Sequence, residues 1–180
     1  MSRVITYRNY VFRTALAAQW AVFFDVLGVE WRSDLQPFLL QSRVYTPDFY
    51  LPRLGFRSVQ PGRPGLYVSV FAEESADNDE SHNEFVNLTG RDLLVIAQPH
   101  VRNEYGDEGL YEYRYDIEHQ DNYSWDNCMV FVQCLNCRQY KVEFSKRDYM
   151  TCEVCGGQTD DQTPQLQAAV AAAQAVPFVY

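Results

Sequence analysis

Val44 to Pro52, VYTPDFYLP, decides how this chain is read. Val44, Tyr45, Phe49, Tyr50 and Leu51 are the β-branched, aromatic and apolar residues of a pleated, half-buried strand. Pro47 has no N–H to give a ladder, so the strand is either an edge strand or interrupted there. Asp48 follows directly among bulky apolar neighbours. Because an unpaired carboxylate is costly to bury, Asp48 must face solvent, pair with a cation or bind a metal. On local sequence alone, a turn aspartate after proline is the simplest reading.

Working outward from this stretch, Phe12, Leu16, Trp20, Phe23, Phe24 and Leu27 recur at helical spacing with alanines between them, and Gly28 closes the run as a C-cap. Ile5 to Phe12 reads as an aromatic lead-in. Val29-Glu30-Trp31 is expected to begin a first strand, Phe38 to Leu40 a second and Val44 to Leu51 a third. Leu66 to Ala72, LYVSVFA, has the composition of a central strand. Asp92 to Ala97, DLLVIA, is a buried apolar run suited to a parallel position. Between these two, the acidic ADNDESHNE of Ala76 to Glu84 is a solvated loop or helix start, and Glu84 to Leu88 continues as a short helix closed by Thr89-Gly90. Residues 98 to 125 are polar and tyrosine-rich, and the alternation of Tyr111, Tyr113 and Tyr115 points to one more strand. The order implies an α/β (α+β) fold, a mixed sheet flanked by helices.

The clearest chemical signal is Cys134-Leu-Asn-Cys137 and, after fourteen residues, Cys152-Glu-Val-Cys155. Two such pairs place four thiolates around one tetrahedral zinc, and Gly156-Gly157 allow the tight backbone a knuckle needs. Disulfides and unrelated core cysteines are the alternatives; the first fits poorly with a cytoplasmic chain. A four-cysteine shell leaves no open position for water, so the zinc is expected to be structural. Cys128 is left over as a core thiol. Thr163-Pro164 then supplies an N-cap and a proline at the first helical position. Leu166, Ala169, Val170 and Ala173 make a helix face, stopped at Pro177. The chain therefore divides into a core over 1–125, a zinc ribbon over 126–160 and a C-terminal helix over 161–180 that docks on the core or on a partner.

At 180 residues, with 47% hydrophobic and 15% aromatic content, the chain can bury a real core. No apolar run reaches membrane-spanning length, and Arg3, Arg8 and Asn9 break up the N-terminus, so a cytoplasmic location without a membrane partner is expected. The net charge of −9 disfavours non-specific nucleic-acid binding, which runs on phosphate neutralisation.

With these pieces in place, FRTALAAQWAVFFDVLGVEW, YTPDFYLP and LYVSVFA together resemble the core of a phage and actinobacterial group within the PD-(D/E)XK nuclease superfamily. In that group a helix with an Arg-Ser-x-Leu-Glu-Ala-x-Trp pattern precedes a Pro-Asp-Phe-x-Leu-Pro strand and a Glu-x-Lys strand. The likeness continues through Thr89-Gly90-Arg91, a Cys-x-x-Cys pair and an alanine-rich terminal helix ending in phenylalanine. It implies a restriction-endonuclease-like core with a small zinc ribbon, encoded by a phage or mobile element. The superfamily's chemistry uses carboxylates to hold magnesium and a lysine to assist. Carried over residue by residue, the helix glutamate falls at Ala17, the metal-binding aspartate at Asp48, the second glutamate at Ser69 and the lysine at Phe71. Only Asp48 keeps its chemistry, so these positions are vestigial and magnesium is not expected. Glu73 lies roughly 13 Å beyond Ser69 along an extended strand, too far to substitute simply.

Three functions follow as expectations. The first is a pseudo-nuclease acting as a binding or scaffold protein, with a protein partner ahead of a nucleic acid. The second is a divergent nuclease with a relocated site using Asp48 with Glu73, Glu74 or Asp25. The third is an acidic inhibitor or DNA mimic, motivated by the net charge and the acidic run from Glu73 to Glu84.

Overall fold

A computed structural model gives the structure of the protein and describes residues 5–54, 65–70, 79–96, 99, 113–115, 129–144 and 151–177. Within them the chain forms a mixed α+β fold with small sheets and three helices.

The lead-in is a hairpin, β1 (Ile5–Tyr7) against β2 (Tyr10–Phe12), antiparallel with Tyr7 opposite Tyr10. Arg8 and Asn9 both adopt positive φ, 46° and 70°, the two-residue turn whose twist matches a hairpin. The helix therefore starts later than the apolar spacing predicts. Phe12 belongs to β2, Thr14 is the N-cap, and its hydroxyl accepts the Ala17 N–H at 3.0 Å. Helix α1 (Ala15–Leu27) ends at Gly28, whose φ of 67° supplies the left-handed cap. It is buried on nearly every side. Trp20, Phe23 and Phe24 fill the centre of the core, and each such burial stabilises by about 1.5–3 kcal/mol.

Val29-Glu30-Trp31 is not a strand. The one bridge to the sheet falls just after it, where Arg32 and Tyr50 exchange N–H···O bonds of 2.9 Å. The Val44–Leu51 run is interrupted around Pro47. Its first part, β4 (Val44–Tyr45), pairs with β3 (Phe38–Leu39) in a small separate ribbon. Its second part, β5 (Phe49–Leu51), is an edge strand of the main sheet, as a proline-interrupted strand should be.

The main sheet has the order β5-β6-β7-β8, with β6 (Leu66–Val70), β7 (Leu93–Ile96) and β8 (Tyr113–Tyr115). β5 and β8 run antiparallel to their neighbours; β6 and β7 are parallel, with Val68 opposite Leu94. Helix α2 (Asp79–Thr89) lies between the parallel strands in sequence, as such a crossover requires. Alternation sorts the side chains onto two faces. Phe49, Leu51, Leu66, Val68, Leu94 and Ile96 face α1, whereas Tyr67, Leu93 and Val95 face Phe85 and Val86 of α2. β7 is buried on both faces, which explains its uninterrupted apolar sequence.

A second sheet of order β10-β9-β11 is built from β9 (Met129–Cys134), β10 (Tyr140–Phe144) and β11 (Thr159–Asp160). It is not an appendage. Phe131 of β9 stacks against Trp20, Phe23 and Phe24 at centroid distances of 5.8, 5.2 and 6.1 Å. Helix α3 (Pro164–Ala175) starts at the expected Thr163 cap and seats Leu166, Ala169, Val170 and Ala173 in the same core as α1. The C-terminal helix thus docks on the body of its own chain, and one core crosses both sequence-based boundaries. No helix among the described residues is long and apolar enough to cross a membrane.

Candidate metal centre

The four predicted cysteines converge. β9 ends at Cys134, a tight turn carries the chain to Cys137, and a second turn spans Cys152 to Cys155. The two turns are built alike. The residue after each pair donates its N–H to the carbonyl of the first cysteine, Arg138 to Cys134 at 3.0 Å and Gly156 to Cys152 at 2.7 Å. Both of these residues take left-handed φ, 62° and 70°. Glycine adopts that conformation freely, whereas in arginine it costs roughly 1–2 kcal/mol. Gly157 is required for a different reason. A Cβ there would sit 2.7 Å from the Asn136 Cβ and 3.2 and 3.3 Å from the Cys134 and Cys155 sulfurs.

All four Sγ atoms lie within 4.8 Å of one another, with Cys134–Cys155 at 3.5 Å, Cys137–Cys152 at 3.6 Å, and no disulfide. Four sulfurs each about 2.3 Å from one zinc are spaced about 3.8 Å apart, so the cluster fits a tetrahedral ion. The backbone favours the anionic state a metal needs at two of the sulfurs, whereas at Cys137 the lowering by the Gln139 N–H is outweighed by burial and by the neighbouring thiols, which push it up to about 11. The Cys137 N–H donates to the Cys134 sulfur at 3.4 Å, and, against the opposing effect of burial, it draws that thiol down to about 6. For Cys152 burial pushes upward, but the N–H groups of Cys155 and Val154 outweigh it and the thiol is lowered. Cys134 and Cys152 are buried, Cys137 is half-buried and Cys155 is exposed. The shell is complete in cysteine and can hold a metal ion such as zinc. Cys128 lies outside the described residues.

The Asp48 end of the main sheet is organised differently. Asp48 precedes β5, its N–H bonded to the Val68 carbonyl at 2.8 Å. Its Oδ1 receives Arg13 Nη2 and its Oδ2 receives the Val70 N–H, each at 2.9 Å. Arg13 also donates to the Thr46 carbonyl at 2.7 Å, so one guanidinium ties the start of α1 to the proline break. Of the three environments open to Asp48, solvent, a cation or a metal, pairing with a cation is the one the structure shows. Ser69, on the neighbouring strand, bonds through Oγ to the Tyr45 hydroxyl at 2.5 Å on the α2 side of the sheet. Burial pushes the Tyr45 phenol up, which keeps it protonated and paired. Ala17 is fully buried in the core on the α1 side. Asp48 and Ser69 are therefore neighbours, while Ala17 and Ser69 belong to opposite faces. Phe71, Glu73 and Glu74 lie outside the described residues.

Asp25, the other candidate for a relocated site, is in use elsewhere. Its Oδ2 pairs with Arg8 Nε at 2.9 Å and its Oδ1 accepts the Trp31 indole N–H at 3.0 Å. It also sits near the opposite end of α1 from Arg13. Glu84, the end of the acidic run, binds the turn of the β3–β4 ribbon through the N–H groups of Gln41 and Ser42 and the Ser42 hydroxyl. Among the described residues, the four cysteines are the group of metal-ligating side chains that comes together. Sequence reasoning missed Arg13, for which nothing local signals a partner 35 residues away.

Fold and centre together define a mixed α+β protein with a paired four-cysteine cluster that can hold a metal ion. Compared with known proteins, the chain matches no family model, no curated protein and no solved structure.

Proposed function

We propose that this protein is a binding or scaffold protein with a restriction-endonuclease-like core that has lost its catalytic site, braced by a structural zinc at Cys134, Cys137, Cys152 and Cys155. A protein partner suits the net charge of −9 better than nucleic acid does. The order α1, β5, β6, α2, β7, with an antiparallel pair followed by a parallel one and helices on both faces, supports the nuclease-like core.

The observation that carries the proposal is the engagement of Asp48. Both carboxylate oxygens already have donors, Arg13 on one and the Val70 N–H on the other. A divalent ion needs several oxygens in exchange for its water, and here a guanidinium takes the cation's place. The acidic-mimic alternative is weakened because Glu84 is committed to an intramolecular turn.

The test is a cleavage assay on single- and double-stranded DNA and RNA with magnesium or manganese. No cleavage is expected. Metal-dependent cleavage that disappears in Asp48→Ala would replace this proposal with the divergent nuclease.

A further inference from the structure

We infer that Cys155 is an oxidation site, through which hydrogen peroxide converts the centre into two disulfides, Cys134–Cys155 and Cys137–Cys152. Both cross-links join one turn to the other and take over the bracing that the metal gives. This rests on the zinc reading above and adds a second, metal-free state of the same four sulfurs.

Of the four ligands only Cys155 is exposed; Cys134 and Cys152 are buried and Cys137 is half-buried. Thiolate oxidation follows access, so a small oxidant in solvent meets Cys155 ahead of the others. The sulfur of Cys134 lies 3.5 Å from it on the other turn, and Cys137 faces Cys152 across the turns at 3.6 Å. A disulfide is about 2 Å long, so each pair needs roughly 1.5 Å of closure. Gly157 keeps side-chain atoms away from the first pair: a Cβ there would stand 3.2 and 3.3 Å from the Cys134 and Cys155 sulfurs. Backbone bonds that owe nothing to a metal already hold the turns in register. Cys134 is opposite Thr159, the Leu135 N–H bonds to the Gln158 carbonyl at 2.9 Å, and the Cys152 N–H bonds to the Gly157 carbonyl at 2.7 Å.

The chemistry balances with peroxide as the oxidant. The Cys155 thiolate attacks one peroxide oxygen, the O–O bond breaks, hydroxide leaves and a sulfenic acid forms on the sulfur. The Cys134 thiolate then attacks that sulfur; the S–S bond forms as the S–O bond breaks and a second hydroxide leaves. Two thiolates have lost two electrons, the peroxide has gained them, and two protons from solvent turn the hydroxides into water. A disulfide sulfur carries no charge for a cation, so the metal is left with half its shell and departs. Cys137 and Cys152 close in the same way with a second peroxide. The two links span 21 and 15 positions of the sequence, and links of that kind constrain the unfolded chain. Disulfides within a turn, Cys134–Cys137 and Cys152–Cys155, would leave the two segments unconnected.

The experiment treats the full, reduced chain, its zinc content measured first, with hydrogen peroxide. Zinc release is followed with a chromogenic chelator, and disulfides are assigned by tandem mass spectrometry after trypsin and Glu-C digestion, which cuts between Cys152 and Cys155 at Glu153. All the zinc should be released, with Cys134–Cys155 and Cys137–Cys152 formed and both reversed by a dithiol. The oxidised chain should keep its circular dichroism and melt at a higher temperature than reduced chain stripped by a chelator. Limiting iodoacetamide on the zinc-loaded chain should label Cys155 faster than the other three ligands by about tenfold or more. Disulfides within a turn, a disulfide to Cys128 or between two chains, or labelling that reaches another ligand first would each overturn the inference. So would an oxidised chain that melts no higher than the stripped one, or peroxide that leaves the zinc in place. A chain that carries no zinc from the start removes the metal reading itself, whereas a zinc-loaded chain that gives any of these contrary results removes this inference alone.

Discussion

At the knuckles, four side chains from two separate segments bring their sulfurs within 4.8 Å, and the surrounding N–H groups favour the thiolate at Cys134 and Cys152. At the Asp48 end of the sheet, a lone carboxylate is held by a guanidinium on one oxygen and a backbone N–H on the other. The difference lies in whether the ligand atoms have prior claims on them. A metal site requires several donors aimed at one point and left without better partners. The knuckles meet that condition and Asp48 does not, in keeping with a sequence that marks the cysteines as metal ligands and leaves Asp48 without the carboxylates and lysine that would accompany it.

Removing the metal tests this contrast most severely. A structural zinc contributes on the order of 10 kcal/mol of folding free energy in small units. Cys137→Ser or chelation should therefore unpair β9, β10 and β11. Because Phe131 packs on Trp20, the loss should reach α1, and Trp20 fluorescence should change along with the ribbon's circular dichroism. A ribbon that melts while Trp20 reports nothing would separate the two regions after all.

Phe131→Ala sharpens the same point with the cysteines intact. It removes an aromatic ring at the junction, and unfolding in denaturant should show a loss of about 3–5 kcal/mol. A cost below about 1 kcal/mol would mean that the second sheet stands alone.

At the other region the effects should be smaller and ordered. Asp48→Ala strands the Val70 N–H and should cost about 1–3 kcal/mol. Arg13→Ala removes a largely exposed ion partner and should cost under about 1 kcal/mol. Asp48→Asn, which keeps an acceptor for the Val70 N–H, should fall between them. The reverse order would make the guanidinium, rather than the backbone bond, the main tie.

The smallest expected effect is at Glu84. Burial pushes its carboxyl up, but the hydrogen bonds from Gln41 and Ser42 outweigh this and hold it below the ordinary glutamate value of about 4.3. A carboxyl lowered in the folded state stabilises fully above that ordinary value and loses its contribution as pH falls through the folded one. The thermal midpoint of wild type should therefore drop more than that of Glu84→Gln on acidification from about pH 6 to about pH 3. Parallel curves would show that the turn does not depend on the charge.

Much of this architecture is legible in the residues because its causes are local. Thr163-Pro164 caps α3, Gly28 ends α1, Pro47 breaks the strand, and the apolar run of β7 signals burial on both faces. The cysteine spacing reveals the centre because tetrahedral thiolate chemistry allows few alternatives. What remained hidden depends on partners far along the chain or on atypical turn residues. Arg8-Asn9 carries no glycine, so the hairpin turn leaves no strong mark. Val29 to Trp31 has strand-like composition but joins no ladder, and the single bridge falls after it at Arg32. The Arg13–Asp48 clamp and the contact of Phe131 with α1 join distant segments, and neither has a local signature.

The most direct measurement of the central claim is native mass spectrometry of the purified full chain with magnesium present. One zinc per chain is predicted, retained in Asp48→Ala and lost in Cys137→Ser, with no second divalent ion. A folded chain without zinc, or a second metal that disappears in Asp48→Ala, would contradict it.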